Sequence, residues 1–166
     1  LPVQAGSNRV LKRMRRSYSR EVYVRKVARL RQIRPDIAIT TDILVGFPGE
    51  TEQDFQETLG LGKEVGFDSS YSFAFSPRPG TEAGQWADDV PGLVKKERLY
   101  RLQQLQEELS LKKHKTLIGK SFEVLVEGES EWEGPLAQGQ LTGRTPHGRI
   151  VNFYGAASLV GATIDV

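Results

Sequence analysis

The sequence of 166 residues contains no cysteine, one methionine and only two histidines. The lack of cysteine excludes disulfides, thiolate metal sites, cysteine nucleophiles and cysteine-ligated iron–sulfur clusters from these residues. Two histidines are too few for an all-histidine metal centre. No apolar run reaches the roughly 18 residues that a membrane-spanning helix needs, so we expect no integral membrane protein. The 38% of hydrophobic and 27% of charged residues instead favour a packed domain.

Acidic residues are almost missing from the first 34 positions, although the whole chain has a formal charge of only +2. This segment has eleven basic residues and one acidic residue, Glu21, which gives a net charge of +10, and the rest of the chain carries −8. The densest basic cluster lies at residues 12–16, with no acidic neighbour in the sequence. Such a block favours a polyanionic partner such as RNA, and the alternative is a solvated face of a helix.

The first half of the chain alternates between helical and strand periodicity. Thr51 and Asp54 have the spacing of a capping box, and Gly66 is placed to end the helix that they begin. We expect the first strand to be buried on both faces because its apolar run is nearly continuous. The alternation of helices with strands is typical of an α/β sheet or barrel. In chain order, we predict a helix at 19–34, a strand at 37–45, a helix at 51–66 and a strand at 71–75.

The second half changes composition twice. A loop rich in Pro, Gly and Asp at 76–91 precedes a long charged helix, whose predicted apolar seam is Leu99, Leu102, Leu105 and Leu109. Beyond it the period changes to two, which predicts a small antiparallel β-barrel with runs at 122–126, 138–145, 149–154 and 162–166. We therefore divide the chain into 1–90, a connecting helix at 91–116 and a small domain at 117–166.

Three polar segments, at 1–7, 42–50 and 76–81, adjoin the predicted strands. Ligands of α/β folds bind outside the carboxyl ends of the strands, so we expect Gln4, Asp42 and Arg78 to surround one pocket. The turn at 46–50 leads into a helix N-terminus, which suits a phosphate or carboxylate, although a purely structural turn is the alternative. Arg78 lies between two prolines, where its guanidinium either binds an anion or remains a surface group.

These segments resemble those of the radical S-adenosylmethionine (SAM) methylthiotransferases. The stretch LPVQAGSN followed by LKRMRR is similar to the family's LPxQSGS and LKxMxR motifs, with Ala5 where the family usually has serine. Residues 42–51 are similar to its DIxVGFPGET segment and residues 71–81 to its FxFSPRPGT segment. The last helix and residues 119–166 resemble the C-terminal TRAM domain of the family. The resemblance spans the whole chain, with its motifs in the same order.

The resemblance implies the C-terminal half of a partial (β/α) radical SAM barrel, followed by a TRAM domain. It also implies two 4Fe–4S clusters in the full-length enzyme, held by cysteines upstream of these residues. One cluster cleaves SAM reductively, the resulting radical takes hydrogen from an adenine, and the other cluster supplies sulfur. By resemblance, the SAM contacts map onto Gln4, Ser7, Asp42, Gly46, Ser76 and Arg78. We assign tRNA contacts to Lys12, Arg13, Arg15, Arg16, Arg144 and Arg149, and no catalytic residue or metal ligand to this chain.

Within the family, the SPRPGT form and the helix VPGLVKKERLYRLQQLQ resemble the branch that methylthiolates isopentenyladenosine beside the tRNA anticodon. The branch acting on threonylcarbamoyladenosine and a non-catalytic RNA-binding module are the alternatives. We expect a cytoplasmic monomer that binds tRNA and receives electrons from a flavodoxin or ferredoxin. The sequence opens without methionine and stops as a strand begins, so we expect an excised piece with an incomplete TRAM domain, inactive alone.

Overall fold

The computed structural model describes residues 1–132 and 139–166, which form two compact units, Leu1–Thr116 and Leu117–Val166. The mixture of helices and strands confirms the predicted α/β class. The helices of the first unit are α1 (Asn8–Arg13), α2 (Arg20–Ile33), α3 (Glu52–Val65) and α4 (Gly92–Lys115), and its strands are β1 (Thr40–Val45) and β2 (Ser69–Ala74).

Strands β1 and β2 form a parallel sheet, in which Asp42 is paired with Tyr71 and Leu44 with Phe73. The N-terminal segment joins the other edge of β1. There the Gln4 N–H donates to the Asp42 carbonyl and the Gln4 carbonyl accepts from the Leu44 N–H, both at 2.9 Å. Three stretches that are far apart in the sequence therefore lie side by side.

Helix α3 begins and ends where the sequence predicts. The Thr51 hydroxyl accepts from the Asp54 N–H and the Asp54 carboxylate accepts from the Thr51 N–H, which completes the capping box. At the other end Gly66 has a left-handed backbone with φ 58°, a conformation that glycine adopts without a steric penalty. Both predictions are confirmed, because each depends on chemistry within one helix end.

Strand β1 is buried on one face only, so the expectation of two covered faces is wrong. Ile43 and Val45 are 2% and 0% exposed and pack in the main core with side chains from α3 and α4. On the opposite face Leu44 is half-buried, and Tyr71 and Phe73 of β2 are 66% and 54% exposed. The helices cover one side of the two-stranded sheet, which leaves an apolar face open on the other.

Helix α4 also differs from the expected leucine seam. Leu102 is buried as predicted, but the other buried positions of this helix are Lys95 and Arg98. The three residues follow the i, i+3, i+7 spacing of a core-facing stripe. Leu99, Leu105 and Leu109 are only partly buried. The helical period was predicted correctly, whereas the charge of the buried stripe was not.

The second unit is an antiparallel sheet with the strand order β5-β4-β3-β6. Buried Val124 and Val126 alternate with exposed neighbours, and buried Leu141 lies between half-buried ones, as the period of two predicts. The predicted run at 138–145 starts at Gln138, which lies outside the described residues. The strands are β3 (Glu123–Glu129), β4 (Gln140–Arg144), β5 (Ile150–Tyr154) and β6 (Thr163–Asp165).

Two glycines of this sheet give a matched test of its packing. A Cβ on Gly143 would lie 2.5 Å from Val124 Cγ1 and 2.6 Å from the Leu125 carbonyl oxygen, whereas a Cβ on Gly128 meets nothing within 4 Å. We expect Gly143→Ala to lower the free energy of unfolding of this unit by about 1–3 kcal/mol, because overpacking forces the strands apart. Gly128→Ala should change it by less than about 0.5 kcal/mol. Urea unfolding with hydrogen exchange across β3 and β4 measures both, and equal effects would contradict this packing.

Candidate functional site

A cavity of about 210 Å³ lies at the carboxyl end of β1. Three parts of the chain surround it, namely the N-terminal segment through residue 16, the end of β1 with its turn, and the loop that follows β2. Its location at the strand ends is where ligands bind in α/β folds. The lining residues are Gln4, Arg13, Met14, Arg15, Arg16, Leu44, Phe47, Glu82, Ala83 and Trp86.

Gln4 is the candidate SAM contact that lines this cavity directly. Its φ of 72° is unusual for a residue other than glycine, and its two backbone hydrogen bonds to β1 hold it there. Its half-buried side chain brings an amide donor and acceptor to the cavity beside Leu44 and Phe47. Asp42 is half-buried on β1, next to Gln4 through the backbone, but is not part of the lining.

Ser7 belongs to a buried polar network rather than to the cavity lining. Its hydroxyl, in a residue that is 1% exposed, donates to Asp54 Oδ1 at 2.6 Å. The same carboxylate accepts from Arg9, through Nε at 3.1 Å and through Nη2, and from Thr51. Burial alone would raise the pKa of Asp54, but the hydrogen bonds from Arg9, Ser7 and Thr51 outweigh it and hold the pKa well below its usual range. Ser7 as a SAM contact stays a prediction.

The turn after β1 is closed by a buried carboxylate. Gly46 has φ 71° and donates its N–H to Glu50 Oε2 at 2.6 Å. The Glu50 side chain has no exposed surface, and Arg98 Nη1 donates to the same oxygen at 2.9 Å. Burial raises the pKa of Glu50, against the lowering effects of the Gly46 N–H and Arg98. Sequence analysis placed Glu50 in a candidate motif but missed its partner.

Ser76 and Arg78 are exposed on the loop after β2 and do not line the cavity. The Arg78 carbonyl accepts from the Thr81 N–H at 3.2 Å and from the Thr81 hydroxyl at 2.8 Å, which gives this loop a tight turn. The loop reaches the cavity farther on, through Glu82 and Trp86. Ser76 and Arg78 as SAM contacts stay predictions.

The basic cluster at 12–16 divides into engaged and open side chains. The Arg13 guanidinium lies 4.8 Å from the centroid of the Trp86 ring, and its Nε donates to the Pro48 carbonyl at 3.0 Å. Arg15 forms an exposed ion pair with Glu82. Lys12 and Arg16 are exposed, and no ion pair engages either one within residues 1–132 and 139–166. No acidic residue lies next to the cluster in the sequence, and the carboxylate that pairs with Arg15 belongs to Glu82 in the loop after β2.

The candidate RNA contacts of the second unit lie at a β-hairpin. Strands β4 and β5 form a hairpin, and in the turn between them the Thr145 hydroxyl accepts from the Arg149 N–H at 3.1 Å. Arg144 Nε is paired with Glu127 Oε1 across the strands at 3.0 Å. Arg144 and Arg149 as RNA contacts stay predictions.

The described residues show neither a metal-binding cluster nor a helix that could span a membrane. No group of three or more His, Cys, Asp or Glu side chains in this part of the chain is arranged to hold a metal ion. None of the described helices is long and apolar enough to cross a bilayer. Since the chain has no cysteine, thiolate ligands for an iron–sulfur cluster are not among its 166 residues.

Comparison with known proteins relates this geometry to a family. Residues 1–62 match the family model of the radical SAM superfamily, and residues 115–166 match that of the TRAM domain. Over all 166 residues, the chain is 49% identical to a tRNA-2-methylthio-N(6)-dimethylallyladenosine synthase of Moorella thermoacetica. Over its whole length the chain is therefore similar to radical SAM methylthiotransferases. It is 47% and 50% identical to the synthases of the same name from Methylococcus capsulatus and a Thermoanaerobacter species.

The chain spans 34–36% of the length of these three relatives, and the match covers the chain completely. The resemblance found in the sequence motifs is thereby confirmed. The radical SAM match implies SAM and 4Fe–4S clusters in full-length enzymes of that superfamily. The cavity edge has polar and apolar groups that fit SAM. The chain has no cysteine that could hold a 4Fe–4S cluster.

The Asp54 network predicts a defined dependence of stability on pH. Because the folded-state pKa lies below the value of about 3.9 of an unfolded aspartate, the unfolded chain binds the proton first as the pH falls. The contribution of Asp54 is therefore complete at neutral pH and is lost progressively below about pH 4. We expect Asp54→Asn to lower the free energy of unfolding by about 1–3 kcal/mol at pH 7 and by less at pH 3.

Urea unfolding at the two pH values measures this difference. Asp36→Asn is the matched control, because Asp36 forms a 3.5 Å ion pair with Arg34 in which both side chains are more than half exposed. Such surface pairs contribute at most about 1 kcal/mol. A loss for Asp54→Asn that is the same at pH 7 and pH 3 would contradict the assignment.

Proposed function

We propose that the protein carrying this chain is a radical SAM enzyme that adds a methylthio group to C2 of N6-dimethylallyladenosine in tRNA. The observation that carries the proposal is the 47–50% identity, across all 166 residues, to enzymes named for that product. The cavity at the strand ends supports it, because this edge is where an α/β enzyme binds its small ligand.

The residues at this edge fit part of a SAM molecule. The Gln4 amide offers a donor and an acceptor, while Leu44 and Phe47 offer an apolar surface for an adenosine or a methionine chain. In this proposal the SAM contacts are Gln4, Ser7, Asp42, Gly46, Ser76 and Arg78, of which Gln4 lines the cavity. Bound SAM would supply the radical that removes hydrogen from the adenine. The clusters would be held by cysteines outside this chain.

The open face of the sheet has a role in the same proposal. Tyr71 and Phe73 are exposed, and half-buried Leu44 lies beside Phe73 at the cavity-forming end of β1. We propose that this surface lines the interior of the complete barrel, where apolar walls exclude water from the reacting atoms. Large exposed apolar patches mark interaction sites or surfaces that another part of a protein covers.

The tRNA would be bound by cations of both units. Lys12 and Arg16 are the open cations of the basic cluster, and in this proposal they contact phosphates. Arg13, Arg15 and Arg16 all line the cavity, where Arg13 contacts Trp86 and Arg15 pairs with Glu82. Arg144 and Arg149 would contact RNA from the hairpin of the second unit. In this proposal the protein is a monomer, and it acts in the cytoplasm because tRNA is its substrate. A flavodoxin or a ferredoxin supplies its electrons.

The reaction is tested with the full-length protein, reconstituted with iron and sulfide under anaerobic conditions and supplied with SAM and a reductant. We expect a methylthio group on tRNA that carries dimethylallyladenosine, detected by mass spectrometry of the nucleosides. A matched tRNA that carries threonylcarbamoyladenosine should remain unchanged. Modification of only the second tRNA would transfer the function to that branch of the family. Binding of tRNA with no modified product would favour an RNA-binding module.

The role of the open cations is tested by the salt dependence of tRNA binding. We expect Lys12→Ala combined with Arg16→Ala to weaken tRNA binding and to reduce the slope of log K against log[salt] by about 0.7–0.9 for each lost phosphate contact. Arg34→Ala is the control, because Arg34 is already paired with Asp36. Filter binding across a salt series measures the slopes. An unaltered slope in the double variant would assign the cluster to a solvated face.

A further inference from the structure

Helix α4 buries two cations in its first two turns. Lys95 is 6% exposed and Arg98 is 5% exposed, at positions where a core-facing helix ordinarily carries apolar side chains. Burying an ion is strongly unfavourable unless it is paired and hydrogen-bonded. The partners of the two residues therefore indicate what the helix holds in place.

Lys95 fastens the end of β2. Its ammonium group donates to Asp88 Oδ1 and Oδ2 at 2.5 and 2.6 Å and to the Phe75 carbonyl at 3.3 Å, and it lies 5.2 Å from the Phe75 ring centroid. Its aliphatic chain packs directly on Gly46, where an added Cβ would collide with Lys95 Cγ. A single side chain thus contacts the residue after β1 and the residue after β2.

Arg98 fastens the turn that follows β1. Its Nη1 donates to the Glu50 carbonyl at 3.2 Å and to Glu50 Oε2 at 2.9 Å, and that oxygen also accepts the Gly46 N–H. Its guanidinium also lies over the Phe55 ring, 5.6 Å from the centroid. The turn at 46–50 is therefore held from the inside by one carboxylate and from α4 by one guanidinium.

The two cations fix the ends of neighbouring parallel strands from a single helical turn. Leu44, Phe47 and Gln4 line the cavity immediately beside these ends, so a shift of the turn at 46–50 changes the shape of the cavity. A purely stabilising role explains the buried charges less well, because a protein with apolar residues of similar volume in their place is often at least as stable as one with a buried ion pair.

We propose that Lys95 and Arg98 are positioning residues, which hold the ends of β1 and β2 in the geometry that binds SAM. The inference rests on the proposed function, because it concerns the same site. Neither residue lines the cavity, so both act through the backbone and side chains that they hold.

The experiment uses the full-length reconstituted enzyme and two variants chosen to fold. Arg98→Lys keeps a positive charge near Glu50, but its side chain is one bond shorter than the path to Arg98 Nη1, the single nitrogen that contacts both the Glu50 carbonyl and the carboxylate. Lys95→Met keeps the aliphatic packing on Gly46 and leaves Asp88, whose side chain is 36% exposed, in contact with water. Arg101→Lys on the same helix is the matched control, since Arg101 pairs with Glu52 and Glu97 at the surface.

For both variants we expect hydrogen exchange of the peptide that spans 46–50 to be at least tenfold faster and SAM binding, by calorimetry, to be at least tenfold weaker. The tRNA affinity and the control variant should stay within twofold of wild type. A folded variant with wild-type exchange and SAM affinity would overturn the inference. Equal losses of SAM and tRNA affinity would also overturn it, because they indicate a general loss of structure. A wild-type enzyme that does not bind SAM would overturn the proposed function as well.

Discussion

The Asp54 carboxylate is the interaction on which the first unit depends. It caps α3 through Thr51 and at the same time accepts from Ser7 and Arg9, which lie at the start of the chain. Residues just before Ser7 form the outer edge of the sheet through Gln4. One buried anion therefore joins the beginning of a helix to the segment that places Gln4 at the cavity, and no apolar contact supplies that directional constraint.

The features predicted correctly from the sequence are those set by neighbouring residues. The capping box of Thr51 and Asp54 needs only a three-residue spacing, and Gly66 needs only the backbone freedom of glycine at a helix end. The alternation of Val124 and Val126 likewise carries its own period. The assignment of the end of β1 as a ligand-binding edge stays a prediction, and the cavity beside it agrees with that assignment.

The features that were missed depend on partners distant in the sequence. Glu82 neutralises Arg15 from a loop more than sixty residues later, and Arg98 contacts Glu50 across 48 residues of sequence. Lys95 and Arg98 do show one readable signal, since they share the i, i+3, i+7 stripe with Leu102. A charged residue on the buried stripe of a helix calls for an opposite charge, and the buried Glu50 of the nearby turn supplies it for Arg98.

The basic residues near the N-terminus have two kinds of partner within the fold, carboxylates and backbone carbonyls. Four of its eleven basic residues pair with carboxylates in the described part of the chain, namely Arg9, Arg15, Arg20 and Arg34. Arg31 instead donates to the Val65 and Gly66 carbonyls at the end of α3, at 2.6 and 3.1 Å. A guanidinium that binds neutral carbonyls fastens the helix while keeping its full charge. Structural use of arginine is thus compatible with attraction of a polyanion, because only carboxylate pairing removes charge from the surrounding field.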